Sequence, residues 1–586
     1  MTDWKPKRTL QECDRIITAP GSIHELETRV VDGRVQRVYK NMWPSLRAFW
    51  LWACEEHKDK TFIVYGSERH TYSQALARST KAAHMLRVVH GVHKGDRVAI
   101  ASRNYPEYMV VFWACHLIGA VPVLVNAWLP QDGLVFCIGH TQSKVLIVDP
   151  ERADVLAPVV KQLSKNGTTT ILVLEDDNKT WPGMKSWTGS LQECKDEGES
   201  ILKENIEILP EDKATIFFTS GTTGRPKGVL STQRQYLTNI LNVMVASMRS
   251  ILRDGEDLAP PPPGPQGGVL ISVPFFHVTG TSSQAMGAIA VGNKIVLMRS
   301  WNPKEAVRLI KAENVVSAGG VPSMVADLLE IGGFSLDVLS FGGAPASKML
   351  PASISKIAKG AKAAQGYGAT ETNSVAVAMA GNDQILRPTS CGLPTLVNDL
   401  LIVNPGTLVE APTGEVGEVW IRGPNVMECY WNDPAATDKA ITKDGWYRTG
   451  DLGYLDDEGF LYIKDRLKDI IIRGGENIDS VSVENALYEE SGVLEAAAVG
   501  VPDQRLGELV TAVVTIKQGY AGKVTEKSLI DFVRGRLPRF AVPVMVIVQT
   551  TEMEHTPSGK IKKGTLRDIV RKEWEKRQST GAKSRL

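Results

Sequence analysis

The chain has 586 residues, 43% apolar and 23% charged, so it can bury a large core and is not globally disordered. Its 67 basic and 66 acidic residues leave a net charge of +1, without the broad basic field that a nucleic-acid partner requires. The seven cysteines are odd in number and none form C-x-x-C, which argues against a zinc ribbon or a secreted disulfide framework and for a reducing compartment.

At roughly 150 residues per domain, the length allows four domain-sized units, or one large domain and a smaller one. The opening MTDWKPKRTL is polar and offers no apolar run for a signal peptide. Residues 109–128 are long and apolar enough to suggest a membrane span. Gly119 and Pro122 break that run, so it predicts a buried helix and then a Val-rich strand over 121–125, with no transmembrane span. Further strands are predicted over 97–102, 145–148, 170–174, 269–273 and 294–298, and an amphipathic helix over 302–313. That alternation predicts α/β layers with mostly parallel strands. No fixed-period repeat is present. Residues 255–268 (GEDLAPPPPGPQGG) read as a surface insertion within the large domain. A boundary is expected at Asp465-Arg466-Leu467-Lys468-Asp469: residues 1–464 form the large domain, 465–468 a hinge and 469–586 a small domain. Residues 562–586 are basic and read as a helix that frays.

The most informative stretch is Phe217-Phe218-Thr219-Ser220-Gly221-Thr222-Thr223-Gly224-Arg225-Pro226-Lys227-Gly228-Val229. A strand over 214–218 enters a run of glycines and hydroxyls. Glycines let backbone N–H groups approach an anion, hydroxyls add donors, and Lys227 adds charge. This is a phosphate loop, but not the G-x-x-x-x-G-K-[ST] form.

T-S-G-T-T-G-x-P-K-G resembles the signature of the adenylate-forming enzymes, a superfamily that includes acyl-CoA synthetases, firefly luciferase and peptide-synthetase adenylation domains. Other elements follow in that family's order. Thr71-Tyr72-Ser73-Gln74-Ala75-Leu76 is similar to its early T-Y-x-E-L element, and Pro274-Phe275-Phe276-His277 to its aromatic-His element. Gly342-Gly343-Ala344-Pro345 and Gly366-Tyr367-Gly368-Ala369-Thr370-Glu371 resemble its adenine and metal elements. Tyr447-Arg448-Thr449-Gly450-Asp451 and the 465–469 segment resemble its ribose and hinge elements. Gly474-Gly475-Glu476-Asn477-Ile478, VGVPDQRLGE over 499–508 and Pro557-Ser558-Gly559-Lys560 complete the set, which spans roughly residues 45–570.

The resemblance implies an α/β fold: a large N-terminal domain of layered α/β subdomains and a small mobile C-terminal α+β domain. It implies an ATP-dependent acyl-CoA ligase that forms an acyl-adenylate and passes the acyl group to CoA. The loop residues Thr219, Ser220, Gly221, Thr222, Thr223 and Gly224, with Lys227, would hold the β- and γ-phosphates. Glu371, with Thr370, would hold Mg²⁺, an ion suited to one or two protein oxygens plus phosphates. Gly343, Ala344 and Tyr367 would meet adenine, with Gly366 and Gly368 leaving room. Asp451 would accept both ribose hydroxyls. Arg466 would reach ribose or phosphate, and Lys468 would be the hinge. Lys560 would place its ammonium between the attacking carboxylate and the α-phosphate. His277 would gate the acyl or pantetheine path without acting as a general base. Gly474 and Gly475 would approach pantetheine in a second domain orientation.

Two departures stand out: Thr556 where the family usually has Asn, and Ser482-Val483-Glu484 where it has Glu-x-Glu. The small residues of the 278–283 stretch predict a pocket with room for an acyl chain. Carrier-protein loading is an alternative, disfavoured because only 26 residues follow Lys560. A luciferase-like oxygenase is another. Ser584-Arg585-Leu586 is similar to the S-K-L peroxisomal address, so the import receptor is an expected partner and the peroxisome the expected location. The tail and the Pro-rich segment also resemble peroxisomal acyl-CoA ligases of filamentous fungi, some of which make secondary metabolites. A medium- or long-chain fatty acid, or a specialised precursor acid, would then be the substrate.

Overall fold

The Val- and Ile-rich runs assemble into two large sheets. The computed structural model describes residues 4–219, 225–259, 264–344, 346–358, 360–467, 469–474, 476–556 and 559–579. Ser220, Gly221, Thr222, Thr223, Gly224, Lys468, Gly475 and the Ser584-Arg585-Leu586 tail lie outside the described residues, as do Pro345, Pro557 and Ser558.

The first sheet has eight strands. Its centre is parallel: Lys213–Thr219, Val121–Leu124, Arg97–Ala101, Val145–Val148 and Thr170–Val173 lie side by side. Lys227–Thr232 returns antiparallel to Lys213–Thr219, and Cys429–Tyr430 pairs on its far side. The second sheet has nine strands, and Lys294–Leu297, Gly268–Ile271, Val315–Gly320, Val338–Gly342 and Lys362–Tyr367 run parallel within it.

Alternation along each strand assigns its faces. In Arg97–Ala101, Val98 and Ile100 enter a central layer, while Ala99 and Ala101 enter an outer one. In the second sheet, Val269 and Ile271 join the same central layer and Leu270 faces away. Helices Leu46–Glu56, Tyr72–His84, Pro106–Leu117 and Gln233–Arg253 fill the space between the sheets. The stack is therefore helix, sheet, helix, sheet, helix. The apolar 109–128 run falls inside it as the wholly buried helix Pro106–Leu117 and the buried strand Val121–Leu124. Among the described residues no helix is long and apolar enough to cross a membrane.

The remaining strands form a four-stranded antiparallel sheet (Asp399–Val403, Gly417–Arg422, Tyr447–Leu455, Leu461–Arg466) and a five-stranded C-terminal sheet that begins at Ile471–Arg473. The latter has its own two cores. One lies under helices Ser480–Tyr488 and Glu526–Arg534, and the other under Lys563–Ser579. The chain is thus α/β, a large N-terminal domain followed by a small C-terminal one.

Candidate active site

A cavity of about 2270 Å³ opens where the parallel strands of the second sheet end and the C-terminal domain covers them. Carboxyl ends of parallel strands are where α/β sheets form crevices. Tyr367 is the last residue of Lys362–Tyr367, and Gly343 follows Val338–Gly342. Thr219 ends one strand of the first sheet, and Lys227, its cross-strand neighbour, begins the next. Thr219, Lys227, His277, Gly343, Gly366, Tyr367, Gly368, Thr370, Glu371, Asp451, Arg466 and Lys560 all line this one cavity. Ala344 and Gly474 do not. Gly474 instead donates its N–H to the Leu506 carbonyl on the C-terminal sheet.

Asp451 and Arg466 face each other across an antiparallel ladder, and Arg466 Nε lies 3.4 Å from Asp451 Oδ1. The Tyr367 hydroxyl donates to Asp451 Oδ2 at 2.7 Å. Burial and that carboxylate push the phenol well above its ordinary value, so it stays a donor. The carboxylate is oriented from both sides and keeps lone pairs for further donors. Gly368 lines the cavity, and its own backbone gives a further reason for glycine. A Cβ there would stand 1.7 Å from the Ser374 carbonyl oxygen, so the backbone's own close approach demands glycine.

Glu371 sits in the short turn Thr370–Thr372 and is buried. Its Oε1 accepts the Tyr430 hydroxyl at 2.7 Å, and its carbonyl accepts the Met427 N–H at 2.7 Å. Lys227 Nζ lies 4.7 Å from the centre of the Tyr430 ring. Tyr430, which no sequence motif marked, therefore joins the phosphate-loop lysine to the carboxylate. Among the described residues no three His, Cys, Asp or Glu side chains form a metal cluster. One buried, hydrogen-bonded carboxylate beside a phosphate loop fits Mg²⁺, which takes few protein oxygens and completes its shell with phosphate and water.

Lys560 enters from the C-terminal domain. Its N–H donates to Thr556 Oγ1 at 3.0 Å and its carbonyl accepts the Thr556 N–H at 2.6 Å, so Thr at this position closes the turn itself. Gly559 must be glycine, because a Cβ would meet Val321 Cγ2 at 2.5 Å across the domain contact. Lys560 Cε then lies 3.3 Å from where a Gly343 Cβ would stand. Burial, reinforced by Arg466, pulls the ammonium down to about 8, against the pull of Asp451 and Glu371. Burial and the Lys560 charge hold His277 down to about 3, so its imidazole is neutral. His277 Nε2 is buried and without a hydrogen-bond partner.

One expectation needs correction. Of the small residues after His277, Val278, Thr279 and Ser283 line the cavity, but Gly280, Thr281 and Ser282 do not. The segment is helical, a π-helix over Thr279–Ala285, so only one side of it meets the cavity, and Thr281 donates back to the Phe275 carbonyl. The early Thr71 element is a helix N-terminus. Thr71 Oγ1 accepts the Gln74 N–H at 3.2 Å, and Gln74 Oε1 accepts the Thr71 N–H at 2.9 Å.

The AMP-binding enzyme model matches residues 50–431, and the AMP-binding enzyme C-terminal domain model matches 482–560. The chain is 31% identical to a long-chain-fatty-acid–CoA ligase of Mycobacterium tuberculosis, covering 85% of this chain and 93% of that protein. It is 30% identical to a 2-methylpropanoate–CoA ligase of Humulus lupulus, covering 89% and 94%. Among solved structures, ATP-bound MatB from Rhodopseudomonas palustris superposes with a TM-score of 0.77 at 25% identity, covering 90% and 99%. The o-succinylbenzoate CoA synthetase of Bacillus subtilis with its acyl-adenylate superposes at 0.72 and 26% identity, covering 90% and 98%.

Proposed function

The chain belongs to the AMP-binding enzyme family, and from that membership we propose that it is an AMP-forming acyl-CoA ligase. A carboxylate oxygen attacks the α-phosphorus of ATP, the bond to the β-phosphate oxygen breaks, and pyrophosphate leaves. The CoA thiolate then attacks the acyl carbon and AMP leaves.

The observation that carries this reading is the placement of Lys560. A cation from one domain lies against Gly343 in the cleft that also holds Asp451, Glu371 and neutral His277. The first step brings two anions together, so charge must be neutralised where they meet. Lys560 is placed to do so, Lys227 stands at the phosphate loop, and Asp451, oriented by Tyr367, receives the ribose hydroxyls. Mg²⁺ held by Glu371, with Thr370 beside it, supplies neutralising charge to the phosphates when bound. His277 is uncharged and lines the path without taking a proton. We also propose a peroxisomal location, supported by Ser584-Arg585-Leu586.

The test is a panel of carboxylic acids with purified protein, ATP and Mg²⁺, with and without CoA, followed by pyrophosphate release and mass spectrometry. The expected products are acyl-CoA and AMP. Pyrophosphate release with no CoA thioester from any acid would overturn the ligase reading in favour of a carrier protein or oxygen as acceptor.

A further inference from the structure

Two parallel strands of the second sheet, Gly268–Ile271 and Lys294–Leu297, end side by side, and the Met298 N–H donates to the Ile271 carbonyl at 2.9 Å just beyond them. From there the chain turns through Ser272, Val273 and Pro274 toward His277. Val273, Phe275 and Met298 are all buried. With the ladder over, the Val273 and Met298 carbonyls and the Phe275 N–H need partners from elsewhere, because buried backbone groups are costly to leave unpaired.

Asn104 supplies all three. Its Nδ2 donates to the Val273 carbonyl at 3.1 Å and to the Met298 carbonyl at 3.2 Å, and its Oδ1 accepts the Phe275 N–H at 2.9 Å. A primary amide suits the place because it carries two donors on one nitrogen beside an acceptor oxygen. Asn104 is 2% exposed and lies between strand Arg97–Ala101 of the first sheet and helix Pro106–Leu117. A fully satisfied buried network of this kind rigidifies what it joins. The side chain therefore pins the two sheets together at the point where the backbone leaves to carry His277.

Beyond this pin the turn is folded on itself. The His277 N–H donates to the Pro274 carbonyl at 3.0 Å, the Thr281 N–H to the His277 carbonyl at 3.1 Å, and the Thr281 hydroxyl to the Phe275 carbonyl. A Cβ on Gly280 would meet the Pro274 carbonyl oxygen at 2.5 Å, so the helical segment and the turn are in direct contact. Phe275 is wholly buried, its ring 5.4 Å from that of Tyr108 on helix Pro106–Leu117. The turn is thus a stiff unit, placed against the sheets through Asn104 and Phe275. The His277 imidazole inherits that place. Its Nε2 is buried without a hydrogen-bond partner, and its ring neighbour Phe276, at 5.0 Å, belongs to the same turn. The Lys560 charge acts on this imidazole from the other domain, so a shift of the turn changes how the two meet.

Resting on the ligase reading, we infer that Asn104 is a positioning residue for His277, fixing the turn that sets the imidazole in the cleft during acid activation. Asn104 itself does not line the cavity, so it touches no reacting group. Without its amide, two carbonyls and one N–H are left unpaired in the junction, and the turn relaxes toward other partners. A misplacement of about 1 Å at a reacting centre can cost on the order of 10² in rate. The nucleotide side, where Tyr367 holds Asp451, does not depend on this junction.

The experiment is a double-mutant cycle in the full chain: Asn104→Ala, His277→Ala and the two combined. For the acid that turns over best, kcat/KM is read in ATP–pyrophosphate exchange, which needs no CoA. Each single variant is expected to lose at least tenfold, and the double variant no more than about twofold beyond His277→Ala, with KM for ATP within twofold throughout. A merely structural role would instead give the same loss in both backgrounds, and that result would overturn the assignment. An undiminished His277→Ala would overturn it too, since Asn104 would have nothing to act through. If Asn104→Ala does not fold, the near-isosteric Asn104→Asp carries the same cycle, keeping the acceptor for Phe275 and losing both donors. Non-additivity in exchange with no CoA thioester from any acid would bring down the ligase reading and leave the Asn104 assignment standing; additivity in an enzyme that makes thioesters would do the reverse.

Discussion

The cleft's own electrostatics give Lys560 a distinctive pH signature. Its displacement from 10.5 to about 8 corresponds to roughly 3 kcal/mol against the ammonium in the cleft, less what water screens at its half-buried position. Below pH 8 the side chain is mostly charged, and at pH 9 only about a tenth of it is. Adenylation requires the charged form, so kcat/KM for ATP–pyrophosphate exchange should fall as pH rises through about 8. Binding of the ATP polyanion offsets the desolvation, so the fall in kcat should come at higher pH. The sign for stability is opposite. Between about 8 and 10.5 the unfolded chain holds a proton that the folded one has lost, so this group lets stability rise with pH there. Lys560→Ala should slow adenylate formation by about 10²–10³, the usual cost of one preorganised charge donor, and spare thioester formation from supplied acyl-adenylate. Lys560→Arg, always charged, should retain partial activity and lose the fall near pH 8. Equal losses in both half-reactions, or an unshifted alkaline limb in the arginine variant, would refute the reasoning.

Tyr430→Phe keeps the ring under Lys227 and removes the donor to Glu371. A hydrogen bond to a charged group is worth about 1.5–3 kcal/mol, so the Mg²⁺ concentration for half-maximal pyrophosphate release should rise about tenfold or more. An unchanged Mg²⁺ dependence would show that Tyr430 does not position the carboxylate. Removing Ser584–Leu586 should leave activity intact and release a tagged protein from peroxisomes to the cytosol; retained punctate fluorescence would count against the address.

The layered fold and most of the nucleotide side of the site could be read from the sequence because local chemistry encodes them. Val145–Val148 is a strand at the predicted limits, and the 302–313 pattern becomes Pro303–Ala312, capped by the Asn302 side chain. The strand predicted over 269–273 ends instead at Ile271. Pro274 has no N–H to extend the ladder, and the backbone leaves the sheet there to place His277. Tyr430 was illegible because its role depends on a two-residue strand docking beside Val229, 201 residues away in sequence. Gly368 matched the expected motif, but its physical cause is the Ser374 carbonyl, which only the fold reveals. The small side chains that floor the cavity escaped notice for the same reason: Ser317, Ser340 and Ala364 come from three separate strands and form a surface only in register. Glu484, at the departure from Glu-x-Glu, proves structural. It is buried, pairs with Lys563 at 2.6 Å and accepts the Ala498 N–H at 2.9 Å.

The contact between the domains explains how one lysine can be positioned firmly and still be withdrawn. Gly559 packs tightly on Val321, and Lys348 of the large domain pairs with Glu489, which Arg536 also holds at 2.9 Å. Opposing these, the half-buried Asp327 carboxyl accepts the Trp301 indole N–H at 2.8 Å and still lies near Glu552 and Glu495 of the C-terminal domain. Burial, joined by those carboxylates, raises the Asp327 carboxyl above its ordinary range. Like charges facing each other weaken the contact that the ion pair makes. A half-exposed ion pair such as Lys348–Glu489 adds about 1 kcal/mol or less. Shape complementarity at Gly559 therefore fixes where Lys560 points, while the opposed charges keep the contact weak. That combination suits a reaction whose first step needs Lys560 in the cleft and whose second needs the thiol to reach the same acyl carbon.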